Sequence, residues 1–209
     1  MFDNETIFIC IIVFFISAIC LHMYITNTDG DHQLKCVMSS VDGNTYCVRD
    51  RKKIKESVDL LATTTDKCKH LVVYMDEKYP NKQNVQRLVE RFDSTKLSET
   101  LPTSKHKAYS ENKGEKIALC LGRSNDTEKN EQLIDPNTLM FVALHELAHV
   151  MTKSEGHTNE FWENFKFLLN CAVEIDVYNP VDYQKKPQKY CSMTIDSNPY
   201  YDMNKHYRE

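Results

Sequence analysis

The chain has 209 residues, of which 41% are hydrophobic and 27% are charged, and its formal net charge is −4. Once an apolar N-terminal stretch is set aside, the remaining length suits one domain with its own core rather than two. Acidic residues outnumber basic ones, 30 against 26, which argues against an electrostatic clamp on nucleic acid, so no specific nucleic-acid partner is expected.

The N-terminal stretch Thr6 to Ile25 contains no Asp, Glu, Lys or Arg over 20 residues. A helix of that length extends about 30 Å, the thickness of the hydrocarbon core of a bilayer, which predicts a single-pass membrane anchor that contacts lipid through residues 6–25. A cleaved signal peptide is the alternative, but it needs a basic start and this chain begins Met-Phe-Asp-Asn-Glu. All lysines and arginines follow the stretch, which favours a cytoplasmic C-terminal domain.

Residues 26–48 are polar and rich in turn formers, so we expect a tether between the anchor (residues 1–25) and one domain (residues 49–209). Cys36 and Cys47 flank a turn-like stretch and form the predicted disulfide pair. Three other cysteines occupy apolar positions that suit buried thiols: Cys68, Cys120 and Cys171.

Apolar residues recur at helical spacing between Glu56 and Lys78, which predicts one long helix. Pro80 ends it, because proline cannot continue a helix. A shorter helix is predicted next, from the apolar positions Val85, Leu88, Val89 and Phe92. Both helices are expected to serve as core.

Two strands are predicted next, over residues 105–111 and 116–122, joined by a turn at residues 112–114. Asp135 and Pro136 then open a further helix. Asp135 is the N-cap, and Pro136 takes the first helical position, where its missing N–H does no harm.

The motif HELAH at residues 145–149 lies within an otherwise almost wholly apolar run. Side chains at i and i+4 share one face of a helix, so His145 and His149 can bind one zinc ion while Glu146 holds a water beside it. Burying these polar groups costs free energy unless each has a strong partner, which a shared metal would supply. The spacing therefore predicts a zincin site with Zn2+ as cofactor, rather than histidines that are merely hydrogen-bonded in a core.

A catalytic zinc ion takes three protein ligands and leaves one position for water. His157 is the favoured third ligand, because it follows Gly156, where the chain can reverse, and precedes a second amphipathic stretch at residues 159–172. Two alternatives stay open. Glu174, on the far side of the second helix, can be the third ligand instead, or His157 can simply cap that helix.

The segment formed by residues 117–121 comes shortly before the metal-binding helix. In zincins such a strand often borders the cleft and pairs with extended substrate backbone, and an interior strand is an equal alternative here. The tail from Val177 onward is rich in Tyr and Pro, which predicts an irregular wrap around the domain. One of its tyrosines can reach the site.

Residues 145–162, HELAHVMTKSEGHTNEFW, resemble the active-site region of the SprT/WLM-like zinc metallopeptidases, in which HExxH is followed by a short loop, a Gly-His step and an aromatic-rich helix. The resemblance implies that His145, His149 and His157 bind zinc and that Glu146 is the general base. It implies an α+β, zincin-like fold with a small sheet packed on the HExxH helix. Residues 50–200, with the N-terminal apolar segment, are similar to uncharacterised WLM-like proteins of large DNA viruses, which implies a virion or host-cell membrane.

We therefore predict a membrane-anchored zinc-dependent endopeptidase that acts on protein or peptide substrates. Zinc lowers the pKa of its bound water, and Glu146 takes a proton from that water and passes it to the leaving amine. The alternative is a catalytically inactive structural or assembly protein of a virion or membrane. Such a protein would keep the zincin fold but place a fourth protein ligand where the water should be.

Overall fold

Helices and short strands together form a mixed α/β fold, which agrees with the helices and small sheet of the predicted α+β class. The computed structural model describes residues 4–31, 34–101, 104, 108–122 and 132–201, and the side chains of the first helix from residue 8 to residue 23. The helices are α1 (Asn4–Asp31), α2 (Ile54–Lys78), α3 (Gln83–Arg91), α4 (Pro136–Met151) and α5 (Asn159–Glu174). The strands are β1 (Leu34–Met38), β2 (Thr45–Arg49), β3 (Leu97–Glu99), β4 (Ala108–Glu111), β5 (Lys116–Leu119), β6 (Gln188–Tyr190) and β7 (Met193–Ile195).

The apolar N-terminal stretch is part of α1, and its side chains from residue 8 to residue 23 are exposed. Within the described residues, no helix combines the length and the apolar character needed to cross a membrane. The predicted transmembrane anchor therefore has no support from the described structure.

The segment expected to be a tether contains a β-hairpin that belongs to the domain. β1 and β2 pair antiparallel with Cys36 opposite Cys47, and these two cysteines form the predicted disulfide. Tyr46 and Val48 of β2 are buried in the core. The polar composition of residues 26–48 hid the buried positions of β2, so the structure differs from the expected tether.

The two predicted scaffold helices are present with nearly the predicted bounds. α2 buries the apolar residues that keep helical spacing, and α3 buries Val85 and Leu88. Thr64 and Thr65, in the weak middle of α2, donate their hydroxyl hydrogens to the carbonyls of Leu60 and Leu61, so the buried polar groups have partners inside the helix.

A three-stranded sheet has the order β3-β5-β4, with β3 parallel and β4 antiparallel to the central strand β5. Ile117, Ala118 and Leu119 of β5 are buried, so the interior interpretation of residues 117–121 is correct and the cleft-bordering one is wrong. β4, at one edge of the sheet, borders the cleft instead. The predicted turn is present, with positive φ at Asn112 and at Gly114.

The metal-motif helix α4 lies in the centre of the domain and contacts α2, α3, α5, β4 and β5. Twelve of its 16 residues are buried. Asp135 caps it as predicted, accepting a hydrogen bond from the backbone N–H of Thr138, and Pro136 begins the first turn. Burial on every side explains why the run is almost wholly apolar.

The tail is more regular than the predicted irregular wrap, because β6 and β7 form a further antiparallel hairpin. Its turn places Cys191 and Ser192 at positive φ. A disulfide joins Cys191 to Cys120, 71 residues earlier in the chain. The expectation of a buried free thiol at Cys120 is therefore wrong, whereas Cys68 and Cys171 are free and buried as expected.

Candidate metal centre

The structure brings together the three histidines that the sequence singled out. One ring nitrogen from each of His145, His149 and His157 lies within 4.8 Å of the others. The Nε2 atoms of His145 and His157 are 3.1 Å apart. Among the described residues Glu174 is not part of this cluster, because its carboxylate pairs with Lys78 at the exposed end of α5.

The spacing of these nitrogens fits a zinc ion. Two nitrogens that are each 2.0–2.1 Å from one tetrahedral ion lie roughly 3.3 Å apart, close to the Nε2 separation of His145 and His157. Three imidazoles form the ligand set of catalytic zinc sites that keep a fourth position for water. The residues therefore fit the metal that the sequence implied.

The protonation of the histidines also fits metal binding. Burial, together with the smaller effect of the neighbouring imidazoles, lowers the pKa of His145 to about 3 and that of His149 to about 4. Burial also lowers the pKa of His157. All three rings are therefore neutral at physiological pH, and the neutral imidazole is the form that donates a lone pair to a metal.

Aromatic side chains of α5 pack against the three imidazole rings. The ring of Phe161 is fully buried, and its centroid lies 4.9, 4.3 and 4.7 Å from those of His145, His149 and His157. Trp162 lies beside His157, with ring centroids 5.7 Å apart. The sequence predicted this stretch as an amphipathic, aromatic-rich helix, and the structure adds that its rings support the histidine cluster.

Glu146 points from α4 towards the edge strand β4. Its side chain is 4% exposed. Burial raises the pKa of Glu146 to about 8, an effect that outweighs the lowering of the pKa by a hydrogen bond from the backbone N–H of Ser110. A carboxyl group whose pKa lies near neutrality can both take and return a proton, as a general base and acid must.

Two cavities meet at His145 and Glu146. A cavity of about 560 Å³ on one side has a largely polar lining that includes His149, His157 and Asn112. A cavity of about 460 Å³ on the other side lies between α4, α5 and the tail. Ala108 of β4 lines both, so the edge strand runs along a continuous cleft past the histidines.

Tyr190 is the tail tyrosine that reaches the cleft. It is 1% exposed, and its hydroxyl accepts a hydrogen bond of 2.9 Å from the backbone N–H of Cys120. It lines the smaller cavity together with His145 and Glu146. Burial raises the pKa of Tyr190 far above its usual value, and the nearby Glu146 carboxylate adds to this, so the phenol stays neutral.

The loop that carries His157 is held by Glu160, which sequence reasoning missed. One carboxylate oxygen of Glu160 accepts from the backbone N–H of Lys153, and the other accepts from the N–H and the hydroxyl of Ser154. Arg87 donates to the same carboxylate. Thr158 caps α5, so an acidic residue two positions later, in the first turn, was a sequence signal for such a role.

The loop turns at Gly156, as predicted, with φ +76. Thr152 ends α4, and its hydroxyl, which donates to the carbonyl of Ala148, also accepts from the side chain of Asn164 on α5. The loop therefore begins and ends at fixed helix termini. His157 returns to α4 because both ends and the carboxylate of Glu160 define its path.

Known proteins that resemble this chain are consistent with the motif. The WLM domain family matches residues 67–206. An uncharacterised protein of Acanthamoeba polyphaga mimivirus is 30% identical over 164 residues, which make up 77% of this chain and 81% of that protein. An uncharacterised protein of Invertebrate iridescent virus 3 is 42% identical over 67 residues, covering 31% of this chain and 40% of that protein. The crystal structure of Wss1 from Saccharomyces cerevisiae is similar with a TM-score of 0.42 and 20% identity, covering 61% of this chain and 84% of that chain.

Proposed function

This chain belongs to the WLM domain family, and we propose that it is a zinc-dependent endopeptidase with Glu146 as its general base. The observation that carries the proposal is the convergence of three neutral imidazoles beside a buried carboxyl group in an open cleft. The resemblance of residues 145–162 to zinc metallopeptidases supports the same activity.

His145, His149 and His157 would hold the ion. When bound, zinc supplies a Lewis acid that lowers the pKa of a bound water and polarises a carbonyl oxygen. The carboxylate of Glu146 is placed to take a proton from the attacking water and later to give it to the leaving amine. Burial and the Ser110 N–H keep this carboxyl group at a fixed position in the cleft.

β4 supports a peptide as the substrate. Ala108, Tyr109 and Ser110 of this strand line the cleft, and the backbone N–H of Ser110 is directed at Glu146. An extended peptide can add to such an edge as a further strand, which places its backbone carbonyls next to the histidine cluster. Protein or peptide substrates therefore fit the cleft better than compact small molecules.

The variant Glu146→Gln tests the proposal, with Glu77→Gln on the exposed face of α2 as the matched control. Glu146→Gln should bind one zinc per chain and lose at least about 100-fold in the rate of peptide hydrolysis, the lower range for general base catalysis. The control should match the parent protein. Hydrolysis by zinc-loaded Glu146→Gln at the parental rate would rule out Glu146 as the base.

We further propose that residues 6–25 attach the protein to a bilayer, in a virion or host-cell membrane. The uncharged sequence of these residues supports this proposal, as do the relatives in large DNA viruses. Replacing Phe14 and Phe15 together by lysine should release the full-length protein from membranes at alkaline pH, because each lysine costs about 3 kcal/mol in a bilayer centre. Release of the parent protein under the same conditions would contradict the anchor.

A further inference from the structure

The smaller of the two cavities, about 460 Å³, is a half-open, mostly apolar recess beside the histidine cluster. Its inner wall comes from α4 and α5, through Phe141, Val142, Trp162 and Phe165. Its outer wall comes from the tail, where Met193 and Ile195 of β7 supply apolar surface and Thr194, Asp196 and Ser197 supply the polar rim. The volume lies in the range of specific ligand sites, which are mostly apolar with a few polar groups to fix orientation.

The two cavities differ in chemistry, and they lie at opposite ends of β4. Ala108, the first residue of β4, lines the apolar cavity, whereas Asn112 and Lys113, just beyond its last residue, line only the polar one. Antiparallel pairing is more common and slightly more stable than parallel pairing. A peptide that adds antiparallel to β4 therefore enters with its N-terminal half at the polar cavity and its C-terminal half at the apolar one.

We propose that the apolar cavity binds a large apolar side chain of the peptide, located just C-terminal to the bond that faces His145 and Glu146. This inference rests on the proposed peptidase function, because that function makes this bond the one that is hydrolysed. An aromatic or branched aliphatic side chain matches the walls, and its transfer from water should favour binding by roughly 10-fold or more over glycine.

The outer wall of the cavity is held in place covalently. The disulfide between Cys120 and Cys191 joins the tail hairpin to the end of the central strand, and Tyr190 bonds to the backbone of Cys120 from the adjacent position. Two links at neighbouring residues fix β6 and β7 relative to the sheet. The cavity is thus preformed, which lowers the entropic cost of binding a side chain there.

Binding can be measured without turnover, because Trp162 is the only tryptophan of the chain and it lines the cavity. The probes are two series of short peptides that carry a zinc-binding hydroxamate. In one series the hydroxamate is at the N-terminal end, so the peptide extends from the metal in the C-terminal direction, and in the other it is at the C-terminal end. Each series compares Leu, Phe, Gly and Asp next to the hydroxamate by Trp162 fluorescence of the zinc-loaded full-length protein.

In the first series Leu and Phe should bind roughly 10-fold or more tighter than Gly and Asp, whereas the second series should show little discrimination. Met193→Glu should remove most of the preference, because it puts a charge on the cavity wall. Met38→Glu is the matched control, since Met38 is also an exposed methionine in a two-stranded hairpin but lies outside the cavity. Val142→Phe, which fills the cavity from α4, provides a second variant with the same expected loss.

Equal affinities within the first series, or discrimination confined to the second, would overturn the inference. So would a Met193→Glu variant that keeps the full preference. A preference for Leu and Phe in a protein that hydrolyses no peptide would support the cavity assignment and contradict the peptidase proposal. Hydrolysis without any preference at this position would support the peptidase proposal and contradict the cavity assignment. The two proposals can therefore fail separately.

Discussion

Glu160 should control how well His157 is presented to the metal, although it does not touch His157 itself. Replacing Glu160 by glutamine keeps the shape of the side chain but removes the charge and one acceptor oxygen. The new amide would then face N–H donors of Lys153 or Ser154, or the guanidinium of Arg87. The loop between α4 and α5 should loosen at the point where Glu160 now holds it.

The size of the effect follows from the bonds that are lost. Hydrogen bonds to a charged group contribute roughly 1.5–3 kcal/mol each, and Glu160 would lose about two of them. Its side chain is 37% exposed, so solvent screening reduces this considerably. We expect the free energy of unfolding to fall by about 2 kcal/mol. Zinc affinity should fall about 10-fold, the lower end of the range for residues that support a metal ligand.

The pH dependence gives an independent check. Burial alone would raise the pKa of Glu160, but the N–H groups of Lys153 and Ser154, the hydroxyl of Ser154 and the charge of Arg87 outweigh it and lower the pKa. For a carboxyl group with a lowered pKa, the stabilisation is present above its unfolded pKa of about 4.3 and is lost as the pH falls through the folded pKa. The stability gap between parent and Glu160→Gln should therefore close in acid.

The assay is a competition titration of zinc against a chelator, together with urea unfolding, for the parent, Glu160→Gln and Glu163→Gln. Glu163 is an exposed carboxylate on the same helix and serves as the matched control. Parental zinc affinity in Glu160→Gln, or an equal loss in Glu163→Gln, would show that the carboxylate of Glu160 does not order the loop.

Three further predictions concern the ligand set, the tail and the turn of the sheet. His157→Ala should lose most of the zinc affinity in a chelator titration, whereas Glu174→Ala should keep it, because Glu174 pairs with Lys78 at an exposed helix end. Retention of zinc by His157→Ala would exclude His157 as a ligand. Replacing Cys120 and Cys191 by serine should lower the free energy of unfolding by about 4 kcal/mol, the loop-closure value for a crosslink across 71 residues, and an unchanged urea midpoint would refute the link. Gly114→Ala should cost about 2 kcal/mol of stability or more, because φ is +114 and the added Cβ would lie 2.8 Å from the carbonyl oxygen of Arg91. Gly43→Ala is the control, since Gly43 has positive φ but open space around it, and it should cost less. Equal losses of stability in the two variants would exclude the steric cause.

The helices and the histidine cluster could be read from the sequence because their signals are local. Helical spacing of apolar residues gave α2, α3 and α5, and Asp135 with Pro136 gave the start of α4. The i, i+4 spacing placed His145 and His149 on one face, and Gly156 indicated the reversal that returns His157.

The missed features depend on contacts between distant residues. The disulfide between Cys120 and Cys191 spans 71 residues, and nothing near either cysteine indicates its partner. β5 is the central strand because β3 pairs with it in parallel, and this pairing is not visible in the sequence near β5. The tail hairpin is short, and an isolated two-stranded hairpin is marginally stable in water, so its pairing depends on burial of distant contacts such as those of Tyr190 and Cys191.

The central claim is that this chain binds one zinc ion and uses it to hydrolyse peptide bonds. The most direct test measures metal content and proteolysis of an unfolded protein substrate in one preparation, before and after chelation and again after zinc is restored. We expect one zinc per chain, cleavage that is lost with the chelator, and recovery with added zinc. Zinc at one per chain without any cleavage would contradict the enzymatic claim and favour a structural role, and a chain without zinc would contradict both.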